Sequence, residues 1–440
     1  MGSERQPSGE SLGRPFRVRA AAVTLPDPAG LQPWALLALY VGTLALVWRR
    51  SKFYRIFVAI LLGVLVLIWW GLTAQLHPVG GWLFLLFETL VAIHFVRLVN
   101  ARLRGVAYRA LVTIPAQWFM ASTVLALPFA VSAALGYPSD GFLLAYLLGA
   151  FGVIQSLTAN AETVDLHLDR RDRGPLKPVP RRALMKPKRE VEHAGRSVAP
   201  PGPRPLRVVQ ITDPHLGPFM SPEQLAAVCE RAVERNPDLV FITGDLLTME
   251  SHDSPEAVAA AFSPLKSLEG RVFACHGNHD HEDRATVRAG LEQNGIRLLV
   301  DEWARVATPV GPVDVIGAEY HWKEQKERLR ELFEGRENDG TPRILLLHNP
   351  NHLQHLPEGE TDLILAGHTH GGQVGLLSIG SDWTFVRGFT AIPDHGLWTR
   401  GRDRLYVHRG TGHYGFPLRL GVPREESLLR LFFGDRRSAR

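Results

Sequence analysis

Cysteine is almost missing. Among 440 residues there are two, Cys229 and Cys275. Cys229 falls in an expected helix and Cys275 in an expected strand, so both read as small buried apolar groups rather than as a disulfide framework. A long apolar run directly after a short basic start is also missing. Met1–Asp27 is polar and carries Arg5, Arg14, Arg17 and Arg19, which argues against a cleaved signal peptide and for a disordered tail. Lysine and arginine are missing from Gln75–Pro78 and Gly136–Gly141. Aromatic residues are missing from the basic stretch Asp165–Arg207. Without them a stacking platform for single-stranded nucleic acid is excluded, and no nucleic-acid partner is expected.

What is present begins with apolar sequence. A mean hydropathy of −0.02 averages a very apolar first third with a polar remainder. Leu31–Trp48, Ile56–Leu76, Val79–Val96, Leu111–Leu135 and Phe142–Leu157 each approach the roughly 20 residues that cross a bilayer. The expectation is an α-helical transmembrane domain of about five spans, with the fourth interrupted by Pro115 and Pro128. Arg49, Arg50, Lys52 and Arg55 follow span one; Arg97, Arg102, Arg104 and Arg109 follow span three; Arg170, Arg171 and Arg173 follow span five. These basic loops place the C-terminal half in the cytoplasm, at a cell membrane if the source is bacterial, against the opposing vote of the N-terminal arginines. Glu88 and His94 in span three and Gln117 in span four read as interhelical hydrogen-bonding groups, or as contacts to a headgroup or ion. The domain organisation expected is a polar tail (1–30), a membrane domain (31–160), a basic proline-rich linker (161–205) and a globular domain (206–440). The net charge of +5 is concentrated in the linker. Its wider stretch, Asp165–Arg207, has twelve Lys or Arg against five Asp or Glu and is expected to lie on the anionic inner leaflet.

The globular half alternates strands and helices. Short branched apolar runs, such as Leu206–Thr212, Leu239–Thr243, Arg271–Cys275, Ile344–Leu347 and Leu363–Ala366, read as buried strands. Ser221-Pro222-Glu223-Gln224 is a helix start with a capping box and Pro at N1, and Ser254-Pro255-Glu256 repeats the signal. Leu405–His408 and Leu428–Phe433 read as closing strands. From the residues alone this is an α/β domain, possibly of two sheets.

Each of those five runs borders polar groups that can ligate a metal. They are Asp213 and His215, Gly244-Asp245, Gly277-Asn278-His279-Asp280, His348, and Gly367-His368-Thr369-His370. Ligands gather outside the carboxyl ends of strands in open α/β sheets. Imidazole nitrogen and oxygen donors without thiolate suit Mn, Fe, Zn or Ni. Two ions roughly 3.5–4 Å apart need a shared anionic ligand, and Asp245 can bridge.

These motifs, in this order, resemble the calcineurin-like metallophosphoesterases. With Gly367–Val374 and the later Arg409–Gly412 (RGTG), they resemble a membrane-anchored, bacterial, phosphodiesterase-like branch. The resemblance covers Arg207–Phe433. It implies a four-layer fold of two facing mixed sheets flanked by helices, and two divalent metal ions as cofactor. It implies that Asp213, His215 and His370 hold one ion, that Asn278, His348 and His368 hold the other, and that Asp245 bridges. His279 would protonate the leaving group and Asp280 would orient its ring. The expected function is a dinuclear phosphoesterase, a phosphodiesterase acting on a lipid or lipid-linked phosphate ester by attack of metal-bridged hydroxide. The alternatives are a soluble nucleotide or phosphoprotein substrate, or a non-catalytic metal-binding scaffold. Arg409 and Arg419 are candidates for phosphate oxygens or surface ion pairs. His281 is a candidate substrate contact or an exposed loop residue.

Overall fold

The computed structural model describes residues 30–100, 102–169, 171–179, 204–415 and 418–434. The N-terminal tail and most of the basic linker, including 180–203, lie outside the described residues, as do the expectations of tail disorder and of a linker resting on lipid.

Six helices account for the apolar third: α1 (Gln32–Val47), α2 (Lys52–Leu72), α3 (Pro78–Arg97), α4 (Val106–Leu125), α5 (Leu127–Ala134) and α6 (Phe142–Leu157). Two of them, α2 and α3, are long and apolar enough to cross a membrane, and α4 with α5 makes a third candidate bent by 48°. The expectation of five spans is not supported. With 16 residues each, α1 and α6 reach about 24 Å at 1.5 Å per residue, short of a hydrocarbon core about 30 Å thick. An apolar run in sequence counts cap and turn residues that add little length along the axis. In α4, Pro115 follows a π-helical turn, Arg109–Thr113, as its missing N–H requires the backbone bonds to rearrange. The polar residues of these helices pair with each other. The Tyr40 hydroxyl donates to Glu88 at 2.5 Å, and Gln117 Nε2 lies 3.4 Å from a ring nitrogen of His94. Trp34, Phe53, Phe57, Ile60, Leu67 and Trp70 remain exposed on the outer faces, as a lipid-facing surface requires.

The chain then enters two sheets. One has the order β1-β13-β3-β4-β5-β6, the other β2-β11-β12-β10-β9-β8-β7. The first comprises β1 (Ala159–Leu168), β13 (Arg424–Phe433), β3 (Leu206–Ile211), β4 (Leu239–Thr243), β5 (Val272–Cys275) and β6 (Arg297–Leu298). The second comprises β2 (Lys177–Pro178), β11 (Gly396–Arg400), β12 (Asp403–Val407), β10 (Leu363–Ala366), β9 (Arg343–Leu346), β8 (Gly311–Gly317) and β7 (Glu302–Thr308). Both are mixed: β3, β4, β5 and β6 run parallel and β13 antiparallel to β3, while β8, β9, β10 and β12 run parallel, flanked by antiparallel β7 and β11.

The period of two along each strand builds the layers. Val208, Phe241 and Phe273 point into a core shared with Val315, Ile344 and Leu365 of the other sheet. Val209, Val240 and Val272 point outward, where Leu225, Phe262 and Leu291 of the helices cover them. On the far side Ile316, Leu345 and Ile364 pack on Leu329 and Phe333. The result is four layers, helix–sheet–sheet–helix.

The capping box at Ser221 is present: Gln224 N–H donates to Ser221 Oγ at 3.2 Å and Ser221 N–H to Gln224 Oε1 at 2.9 Å. At Ser254 no side-chain cap forms, because its hydroxyl donates to the carbonyl of His252 at 3.2 Å instead. One strand, β1, was not anticipated. It runs from the foot of α6 across residues assigned to the membrane domain and linker, and it pairs in parallel with β13 over its whole length, Ala159 opposite Arg424 to Leu168 opposite Phe433. The alternation Val164, Leu166, Leu168, all buried, is its sequence mark.

The helices and the sheets are joined by specific contacts. Arg109 donates to the Pro218 carbonyl at 3.0 Å and to Gln224 at 2.7 Å. Gln155 donates to Ser378 at 2.7 Å, and Arg419 N–H donates to Ser156 at 2.8 Å.

Candidate metal centre

Five strands of the two sheets, β3, β4, β5, β9 and β10, deliver their carboxyl ends to one place. The turns that follow are tight enough to force side-chain-bearing residues into the left-handed region. Asp213 has φ 49°, His215 48°, Asp245 56°, His368 69° and His370 52°. Each such residue costs about 1–3 kcal/mol, and surrounding hydrogen bonds hold it there. Asp213 N–H donates to the Gly244 carbonyl at 2.9 Å and His215 N–H to the Asp245 carbonyl at 3.2 Å. Gly367 has no room for a side chain: a Cβ there would overlap Asp213 Oδ2 and Thr212 Oγ1.

Two ligand groups result. Asp213, His215 and His370 offer donor atoms within 4.8 Å of one another, and so do Asp245, His348 and His368. His370 Nε2 is 3.5 Å and His215 Nε2 4.0 Å from Asp213 Oδ1. Asp245 Oδ2 is 3.3 Å from His348 Nε2 and 3.6 Å from His215 Nε2, so one carboxylate oxygen faces both groups. Asn278 lies between Gly277, whose N–H donates to Asp280, and His279, whose N–H donates to Asp245 Oδ1 at 2.9 Å.

The donor set fits cations. His215 Nδ1 is 3.1 Å from the Leu247 carbonyl and His348 Nδ1 2.7 Å from the Thr243 carbonyl, contacts that need N–H on Nδ1 and turn Nε2 inward. His215 Nε2, His348 Nε2 and Asn278 Oδ1 are buried with no hydrogen-bond partner among the described residues. Three orphaned buried polar atoms in one place are unfavourable unless a metal completes them.

Electrostatics tell the same story. Burial lowers the His215 ring to about 3 and the His368 ring to about 4, and holds His370 well below its usual range. All three are neutral and able to ligate. Burial pushes Asp213 up to about 6, with Asp245 adding to the rise. Burial disfavours charge on His348 too, but Asp245 and Asp213 beside it outweigh that and raise it to about 10. Asp245 is held well below the usual carboxylate range: burial opposes ionisation, and His348 more than compensates.

His279 stands beside this group, half-exposed, edge-on to His215 at 5.4 Å between ring centroids. The expectation that Asp280 orients its ring is not met. Both Asp280 oxygens are taken by backbone: Oδ2 accepts from Asp245 and Gly277 N–H, and Oδ1 from Leu246 N–H, each at 2.8 Å. Asp280 therefore holds the turn that carries Asp245. The ring partner of His279 is Glu282, with Nδ1 to Oε1 at 3.1 Å. Burial lowers the His279 pKa, but Glu282, Asp245 and Asp280 raise it overall. The spacing of i to i+3 on a turn was the available signal for Glu282.

Other residues took roles that sequence reasoning missed. Tyr414 stacks on His215 with centroids 5.0 Å apart. The preceding RGTG segment explains how it gets there: Thr411 N–H donates to the Thr212 carbonyl at 2.8 Å and Gly412 N–H to the Asp213 carbonyl at 3.0 Å. Arg409 and Arg419 are buried rather than on the surface, and their guanidinium groups bond acceptors of the protein itself. Arg409 donates to Glu162 of β1 at 2.7 Å, and Arg419 donates to the carbonyls of His370 at 3.0 Å and Arg409 at 2.7 Å. The expected exposure of His281 is not met, its side chain being 12% exposed. With His276 it pairs to the buried Glu319, at 2.5 and 2.7 Å.

The cluster of imidazoles and carboxylates at the strand ends of a two-sheet α/β sandwich is that of a metal-binding site. Residues 206–372 match the calcineurin-like phosphoesterase family. The chain is 28% identical over 232 residues to phosphodiesterase YaeI of Escherichia coli, covering 52% of this chain and 82% of that protein. It is 27% identical to an uncharacterized metallophosphoesterase of Helicobacter pylori, over 51% of this chain and 60% of the relative. A transmembrane protein with metallophosphoesterase domain from Danio rerio is 30% identical over 49% of this chain and 50% of its own length. Residues 206–372 form a calcineurin-like phosphoesterase domain, a family of enzymes that hydrolyse phosphate esters.

Proposed function

We propose that this protein is a membrane-anchored, dinuclear metal-dependent phosphodiesterase whose substrate is a lipid or lipid-linked phosphate ester. The observation that carries the chemistry is Asp245 Oδ2, which faces His215 of one ligand group and His348 of the other. Asp213, His215 and His370 would hold one divalent ion, Asn278, His348 and His368 the second, and Asp245 both. When bound, such ions supply Lewis acidity to the phosphoryl oxygens and make water acidic enough to attack near neutral pH. The chain's own groups do the rest. A water oxygen bonds to phosphorus, the bond from phosphorus to the leaving oxygen breaks, and His279 delivers the proton that oxygen needs. Glu282 keeps His279 protonated and aimed. Asp280 and the left-handed turns hold the ligands in place, so little reorganisation is needed on binding.

The membrane part rests on α2, α3 and the bent pair α4–α5, on relatives named transmembrane proteins, and on contacts such as Arg109 to Pro218 that seat the domain against the helices. The domain meets the helix ends that carry Arg49 and Arg50, and the positive-inside rule would put that face in the cytoplasm. The test is hydrolysis of bis(p-nitrophenyl) phosphate and of a panel of phospholipids by full-length protein with added manganese, iron, zinc or nickel. Turnover of the soluble diester with preference for lipids is expected. Inactivity with metal demonstrably bound would sink the enzyme; equal rates on soluble and lipid esters would remove only the lipid.

A further inference from the structure

Between the helices and the metal domain lies a cavity of about 910 Å³. One wall comes from the membrane helices, with Tyr54, Phe57, Phe95, Leu98 and Met120; the other comes from the metal domain, with Phe219, Met249, Glu250 and Tyr414. Its volume is that of a small-molecule site. One end borders the candidate metal centre across two lining residues: Tyr414, which stacks on His215, and Glu282, which bonds His279. The other end reaches the lipid-facing surface, because Phe53 and Phe57 line the cavity and are 85% and 55% exposed.

The lining also contains polar groups without partners. Glu250 is 2% exposed, and neither of its oxygens has a hydrogen-bond partner among the described residues. The same holds for Gln117 Oε1 and His94 Nδ1, on residues 8% and 3% exposed. Buried carboxylate and amide oxygens are acceptors that need donors. Burial raises Glu250 to about 7, and Arg104 and Arg109 offset only part of that rise. Arg49 and Arg50 add cationic groups to the lining.

We propose that this cavity binds an amphiphilic phosphodiester. Its apolar chain enters from the bilayer past Phe53 and Phe57 and lies against Phe95, Leu98 and Met120. Its phosphate reaches the metal centre past Tyr414, and hydroxyl or ammonium groups near the phosphate donate to Glu250 and Gln117. The proposal rests on the phosphodiesterase reading above and adds the place and chemistry of recognition.

The test uses full-length, metal-loaded protein in lipid nanodiscs and a series of alkyl p-nitrophenyl phosphates, from methyl to decyl, below their micellar concentrations. The kcat/KM is expected to rise at least about 100-fold along the series, since each buried methylene contributes several-fold. Met120→Trp, which fills the cavity, should lower the decyl-to-methyl ratio at least about tenfold. Glu250→Leu, which removes the acceptor, should abolish a preference for 2-hydroxydecyl over decyl ester of about tenfold. A measurement without variants runs alongside: alkyl phosphonates should inhibit methyl-ester hydrolysis with a Ki that falls as the chain lengthens. A flat series and chain-independent Ki, with the methyl ester still turned over, would overturn the cavity assignment and leave the phosphodiesterase standing. No turnover of any ester with metals bound would overturn the reading beneath it.

Discussion

Asp245 Oδ2 stands 3.3 Å from His348 Nε2, while His348 Nδ1 is fixed 2.7 Å from the carbonyl of Thr243, the last residue of the strand that leads to Asp245. The imidazole is thus clamped by backbone on one side and aimed at the shared carboxylate on the other. This pairing sets the behaviour of the centre with and without metal.

Removing either member should empty the site. Asp245→Asn and His348→Ala are each expected to lower metal affinity by more than about 100-fold, beyond the 10–100-fold typical of groups that only support ligands. Metal analysis after gel filtration and bis(p-nitrophenyl) phosphate hydrolysis both report it. Full metal occupancy in Asp245→Asn would show that Asp245 does not bridge, and in His348→Ala that His348 is not a ligand.

Metal loading should release protons. Burial opposes charge on His348, but Asp245 and Asp213 outweigh it and raise the ring to about 10, so at pH 8 it is protonated without metal, whereas a ligand imidazole must be neutral. Apparent affinity should therefore rise about tenfold per pH unit up to about pH 10 where this proton dominates. Calorimetric titrations in buffers of different ionisation enthalpy count the released protons, and a count of zero at pH 8 contradicts this account.

His279 should govern the alkaline limb of the pH profile. Its folded pKa is raised, and an acid works only while protonated, so turnover of an alkyl ester falls as pH rises through that value. Glu282→Gln removes a raising contribution and should move the limb to lower pH. His279→Ala should reduce kcat by about 10²–10⁴-fold on alkyl leaving groups and far less on p-nitrophenolate, which leaves without a proton. Equal losses on both leaving groups would mean that His279 does not act as the acid.

The metallophosphoesterase domain should need β1. A protein beginning at residue 158 keeps the strand that pairs with β13 along its full length and the ion pair of Arg409 with Glu162 at 2.7 Å. One beginning at 204 exposes β13 as an edge and leaves a buried arginine short of a partner, a loss of about 3–5 kcal/mol with an added aggregation hazard. Size-exclusion profiles and thermal unfolding of the two truncations should differ accordingly. Identical behaviour would make β1 dispensable.

The candidate ligand positions are legible in the sequence because each strand that carries them announces itself. Leu239–Thr243 and Leu363–Ala366 are short, branched and apolar, and the polar residue that follows has no reason to be there unless strand ends converge. Asp280 was misjudged for the opposite reason. A carboxylate beside a histidine suggests a ring partner, but its two oxygens found three backbone N–H groups first, and Glu282 was left to hold the ring. The number of membrane-crossing segments was overestimated because hydropathy measures composition along the chain, whereas crossing a bilayer depends on unbroken helical length.

The sequence by itself determined the inventory. It set which side chains can ligate, the alternation that makes each strand two-faced, and the apolar mass that needs a membrane or a core. Only tertiary structure decided the partnerships: Asp245 facing two groups, β1 beside β13, Arg409 turned inward to Glu162, and a cavity closed by Phe95 from one end of the chain and Tyr414 from the other. The reason is physical. Local pattern follows from backbone periodicity over a few residues, whereas these contacts join residues hundreds of positions apart, and burial, not proximity in sequence, selects them.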